Sequence, residues 1–81
     1  MDAAVFFQGS GIWQVNATPS MRSIGEVTQG PGKTFLVSSD TEAYALDGIH
    51  PGPYPSLEDA FAAIAAHLGG SCRVVPPRTF R

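Results

Sequence analysis

The apolar positions change their period along this chain, and the changes mark its elements. From Ile12 to Ala17, Trp13, Val15 and Ala17 fall on one side and Gln14 and Asn16 on the other. That is the period of two of a half-buried strand, and Pro19 ends it. Before it, Val5-Phe6-Phe7 is a short apolar run ahead of Gly9 and Gly11, either a strand or a terminus folded onto the core. Thr34-Phe35-Leu36-Val37-Ser38 has the aromatic and β-branched content of a packed strand. Gly30-Pro31-Gly32 is a turn, and a weaker strand over Ser23 to Thr28, anchored by Ile24 and Val27, completes a hairpin. Ser39-Asp40-Thr41 reads as the next turn, since such side chains bond their own backbone in bends. Glu42 to Leu46 then alternates, with Tyr44 and Leu46 on one face, and Asp47-Gly48 closes it.

Pro51, Pro53 and Pro55 keep residues 50 to 55 out of a sheet interior and predict a stiff, extended crossover. Beyond it the period becomes helical. Ser56 is placed to cap the helix, with Asp59 three residues on and Glu58 beside it in the first turn, where the helix dipole favours negative charge. Leu57, Phe61, Ile64 and Leu68 share one face, and Gly69-Gly70 supplies a left-handed stop. Residues 72 to 75 are apolar enough for a last short strand, ended by Pro76-Pro77.

These elements predict an α+β fold. A three- to five-stranded, mostly antiparallel sheet carries one helix, about residues 56 to 68, on one face, with a short C-terminal strand. The expected core is Trp13, Val15, Phe35, Val37, Tyr44 or Leu46, Phe61, Ile64 and Leu68. A chain of 81 residues holds one such core, so residues 1 to 75 form one domain and residues 76 to 81 a frayed Pro/Arg tail.

Composition changes the picture in one respect. Charged residues make up 15% of the chain, against roughly 25% in an average globular domain. A surface this poor in charge is compatible with a partner covering part of it. The net charge of −2 disfavours nucleic acid, for which a basic face is the usual footprint. The one basic cluster is Arg73, Arg78 and Arg81. With a single cysteine, Cys72, no internal disulfide can form and no multi-cysteine metal site exists. No apolar run approaches the ~18 residues of a membrane span, and Ala3 to Phe7 is too short for a secretory signal. A reduced, cytoplasmic protein away from membranes is expected.

Candidate chemistry is sparse. Gly30-Pro31-Gly32-Lys33-Thr34 ends like a phosphate-binding loop, but Val27 stands where that loop needs its first glycine, and a strand follows instead of a helix. Asp40, Glu42 and Asp47 do not fit a calcium loop, because Ala45 stands where its glycine belongs. Cys72, His50 and His67 are not brought together by any spacing, and Cys72 lies in an apolar strand pattern. Asn16-Ala17-Thr18 matches a glycosylation sequon, which matters only in an exported chain. No catalytic residue, cofactor site or metal site is assigned.

Two surfaces retain interest. Ala62, Ala63 and Ala66 lie opposite the apolar stripe of the helix, where solvated helices normally carry charge. The proline-aromatic segments place Tyr54 in the crossover and Arg78 and Phe80 in the tail, as preformed extended ligands. The strand-strand-helix order, with Pro55-Ser56-Leu57-Glu58-Asp59-Ala60-Phe61 opening the helix, is similar to that part of double-stranded-RNA-binding domains and of HicB-like antitoxins. The acidic helix start departs from the lysines of the RNA-binding domains, and no function is carried over. The leading expectation is a non-catalytic interaction module that binds a protein partner or itself as a homodimer. It would use the alanine face of the helix, the open sheet face or a sheet edge. Behind it stands a small-molecule-binding protein or minimal enzyme with a pocket near Tyr44, His50 and Tyr54. Weak nucleic-acid binding through Arg73, Arg78 and Arg81 comes third.

Overall fold

A computed structural model of the chain describes residues 1–40 and 45–75. Five strands and one helix follow in the order β1 (Asp2–Gly9), β2 (Ile12–Thr18), β3 (Arg22–Gln29), β4 (Phe35–Ser39), α1 (Leu57–Leu68) and β5 (Cys72–Val75). The sheet runs β4-β3-β2-β1-β5. Its first four strands form an antiparallel meander, and β5 returns parallel to β1. The architecture is therefore α+β, as the periodicity predicts.

Turn chemistry sets the meander. Ser10 and Gly11 join β1 to β2 with φ of 53° and 72°, the two positive values that a type I′ hairpin turn requires. Between β3 and β4, Pro31–Lys33 forms a single 3-10 turn. The Gly30 amide donates to the Thr34 carbonyl at 2.8 Å, and the Thr34 hydroxyl to the Pro31 carbonyl at 2.7 Å. The glycine-lysine-threonine string is thus a hairpin turn. Val15 pairs with Gly25 and Asn16 with Ser23, which leaves Ile24 as the extra residue of a β-bulge.

The core lies between sheet and helix. Val5, Val15, Val27, Val37, Leu46, Ala60 and Ile64 are buried in it, with Trp13, Phe35, Phe61 and Leu68 packed half-buried around them. Residues 45 to 48 form a turn, so the strand expected over Glu42 to Leu46 does not extend to its last two residues. The rest of that segment, Tyr44 included, lies outside the described residues. Leu46 is nevertheless fully buried. It packs where a side chain on Gly25 would stand, since a Cβ there would meet Leu46 Cδ1 at 2.7 Å and the Ser38 carbonyl closer still.

Helix α1 has the predicted ends. The Ser56 hydroxyl accepts the Asp59 amide at 3.1 Å, and Gly69 adopts the left-handed conformation with φ of 69°. The helix carries the chain from the β4 edge to the β5 edge, contacting β4, β1 and β5. Gly70 then passes so close to the Met1 carbonyl and the Asp2 carboxylate that no Cβ could be accommodated. The proline crossover covers the β4 edge. Phe35 and Tyr54 exchange backbone hydrogen bonds of 2.9 and 2.8 Å, and the Val37 amide donates to the Pro51 carbonyl at 2.9 Å.

Candidate interaction surface on the open sheet face

Because side chains alternate across a strand, the register divides the sheet residues between two faces. One face meets the helix. On the other, the rung Arg73-Ala4-Asn16-Ser23 is followed by the rung Val75-Phe6-Gln14-Glu26-Ser38, and beyond it lie Ile12, Thr28 and Leu36. Helix α1 does not reach this face. Phe6, Ile12 and Val75 are half-buried there, and Leu36 is 36% exposed. The sequence offers Leu36, Ile12 and the pair Phe6-Phe7 for the side that one helix leaves uncovered, and of these Leu36, Ile12 and Phe6 lie there. Phe7 goes the other way, stacking on Trp13 at a centroid distance of 5.2 Å on the helix side.

The open face is uneven. A concavity of about 260 Å³ is lined by residues that include Gln8, Ile12, Gln14, Glu26, Ser38 and Asp40. A second, of about 290 Å³, lies between Asp2, Ala4, Thr18, Ser71 and Arg73. Among the described residues the lining of the first has amides, hydroxyls and carboxylates but no basic group. Asn16 lies between the two hollows, and its buried Oδ1 has no hydrogen-bond partner among the described residues. A buried unsatisfied carbonyl costs about 1–3 kcal/mol. At the second hollow, the Ser71 amide donates to Asp2 Oδ1 at 3.0 Å. That backbone bond, supported by the Ser71 side chain, holds the exposed Asp2 carboxyl below the usual carboxylate range.

The other sequence-derived candidates are scattered. Ala62 and Ala66 are exposed and Ala63 half-exposed, as expected from their place on the helix. Arg73 is exposed on β5, while Arg78, Arg81 and Phe80 lie outside the described residues. His50 and Tyr54 do come together, with rings edge to face at 6.1 Å. Their polar groups hold the crossover in shape: the Tyr54 hydroxyl donates to the His50 carbonyl at 2.6 Å, and His50 Nδ1 accepts the Gly52 amide at 3.1 Å. His67 donates through Nε2 to the Asp47 carbonyl at 2.9 Å, tying the last helical turn to the 45–48 turn. Cys72 is half-buried on the helix side, and burial pushes its thiol up to about 11, the reverse of what a reactive cysteine needs. Among the described residues no group of three or more His, Cys, Asp or Glu is placed to hold a metal ion. No helix among them is long and apolar enough to cross a membrane.

Sequence reasoning does not single out Gln8, Glu26 or Ser38. Their signal is the polar half of each alternating strand, which becomes a surface only when the register aligns the strands. No family model matches the chain, and neither a curated protein nor a solved structure is significantly similar to it.

Proposed function

We propose that this protein is a non-catalytic interaction module that binds a protein partner through the open face of its sheet. The observation that carries this reading is the composition of that face. Where an antiparallel sheet meets water its outer side chains are normally polar and charged. Here Phe6, Ile12, Leu36 and Val75 stand among amides and hydroxyls, with Glu26 and Arg73 the charged residues of the rungs. Depletion of charge around scattered apolar anchors is the compositional mark of interface cores. A chain with a single cysteine, unable to form an internal disulfide, suits the reducing cytoplasm, where this reading places the protein.

Site-specific photocrosslinking in cells tests the reading. A photoreactive residue at Gln14 or Leu36 should yield discrete protein adducts, while the same residue at Ala62 or Ala66 should yield none. Adducts from the helix positions alone would move the function to the alanine face. Absence of adducts from all four would remove the interaction reading.

A further inference from the structure

The open face carries two exposed charges of opposite sign that are too far apart to pair within one chain. Arg73 lies on β5 and Glu26 on β3, with β1 and β2 between them. Three strand spacings put their backbones about 14 Å apart, beyond direct pairing. Among the described residues neither forms a salt bridge; Arg73 adds only a weak Coulombic pull on Asp2. Glu26 lines the concavity in which no described residue is basic, and Arg73 stands at the opposite side of the face.

A two-fold axis brings them together. Placed along the strands between β1 and β2, it lays β5 of one copy over β3 of the other, and β1 over β2. Such an axis preserves height along the strands, so Arg73 arrives above the Ser23 rung, one rung (about 6.6 Å) from Glu26. Two packed sheets lie about 10 Å apart. The combined reach of an arginine and a glutamate side chain spans that gap and the one-rung offset. Both contacts form at once, because a two-fold interface is self-complementary. Phe6, beside the axis, is then covered by the partner's Gln14 and the small Ala4 by the partner's Asn16.

Resting on the proposed use of this face, we infer that its occupant is a second copy of the chain, packed sheet face to sheet face, with Arg73 of each copy directed to Glu26 of the other. Sedimentation velocity across a concentration series tests the inference, with circular dichroism confirming that each variant is folded. The wild type should sediment as a dimer at tens of micromolar. Arg73→Glu and Glu26→Arg should each weaken dimerisation at least tenfold, and the double reversal should restore it. A monomer at every concentration would overturn the inference, as would a dimer indifferent to both reversals or one not restored by the double variant. Crosslinks from Gln14 and Leu36 to a different protein would overturn the homodimer while leaving the face as the binding surface. Absence of any crosslink would remove both.

Discussion

Gly25 and Leu46 make one contact that decides how the sheet closes under the loop after β4. The glycine is buried on the helix side of β3, and a methyl group there would collide with Leu46 Cδ1 and the Ser38 carbonyl. Gly25→Ala should cost about 1–3 kcal/mol, the usual penalty for overpacking, seen as a lower urea midpoint at unchanged slope. The role is invisible in the sequence, where Gly25 lies in a weak strand anchored only by Ile24 and Val27. Ser56 is the opposite case. Its capping role is legible from three neighbouring residues, and Ser56→Ala should cost about 1 kcal/mol. Cys72 adds a pH signature. Its thiol is raised from the ordinary 9.0 to about 11 in the fold. Between those values the unfolded chain has released a proton that the folded chain keeps, so stability falls as pH rises through that window. Cys72→Ala should flatten that part of the alkaline stability profile in chemical denaturation. Asp2 works at the acid end: its lowered carboxyl contributes stability above the ordinary carboxylate range, lost as pH falls through the folded value.

At the scale of elements, helix α1 was the most legible part of the chain, and even there the burial differs in detail. The stripe Leu57, Phe61, Ile64 and Leu68 marks the correct side, yet the fully buried pair is Ala60 and Ile64, with the larger residues flanking it half-exposed. The small Ala60 is buried in the same cluster as Ala3 of β1, where neither side chain leaves room for a larger stripe residue between helix and sheet. Ile64→Ala should therefore cost about 2–5 kcal/mol, whereas Ala62→Glu on the exposed side should stay within about 0.5 kcal/mol. Thermal unfolding of the two variants checks this contrast. Strand β3 is only weakly legible, over Ser23 to Thr28, since its apolar anchors are few and its bulge breaks the alternation at Ile24. Pairing on both sides stabilises it regardless. The proline crossover shows how a segment barred from a sheet interior serves at its margin, where Tyr54 and Pro51 occupy hydrogen-bonding groups of β4 that an edge strand leaves open.

The described residues form two layers, and that sets which sheet face they leave uncovered. One helix of 12 residues cannot cover both sides of a five-stranded sheet. The far side, with Glu26 and Arg73 on strands too distant to pair, is the surface that the proposed dimer buries. Dimerisation then adds stability by mass action. The midpoint of thermal unfolding should rise with protein concentration for the wild type and become concentration-independent in Arg73→Glu. A midpoint flat for both would count against the dimer. Crosslinking at the helix and sheet positions separates this surface from the alanine face, which the sequence makes equally attractive.

The sequence by itself determined the fold class, the hairpin turn at Gly30 to Thr34, the exclusion of the proline crossover from the sheet interior and both ends of the helix. Each follows from interactions within a few residues: alternation, proline's fixed backbone, a hydroxyl within reach of the third amide. Only the tertiary structure decided that β5 runs parallel beside β1, that Leu46 enters the core from a turn, that Phe6 and Phe7 part to opposite faces, and that Glu26 and Arg73 share one. These depend on register between distant segments, such as Ala3 with Cys72, and no local pattern encodes it.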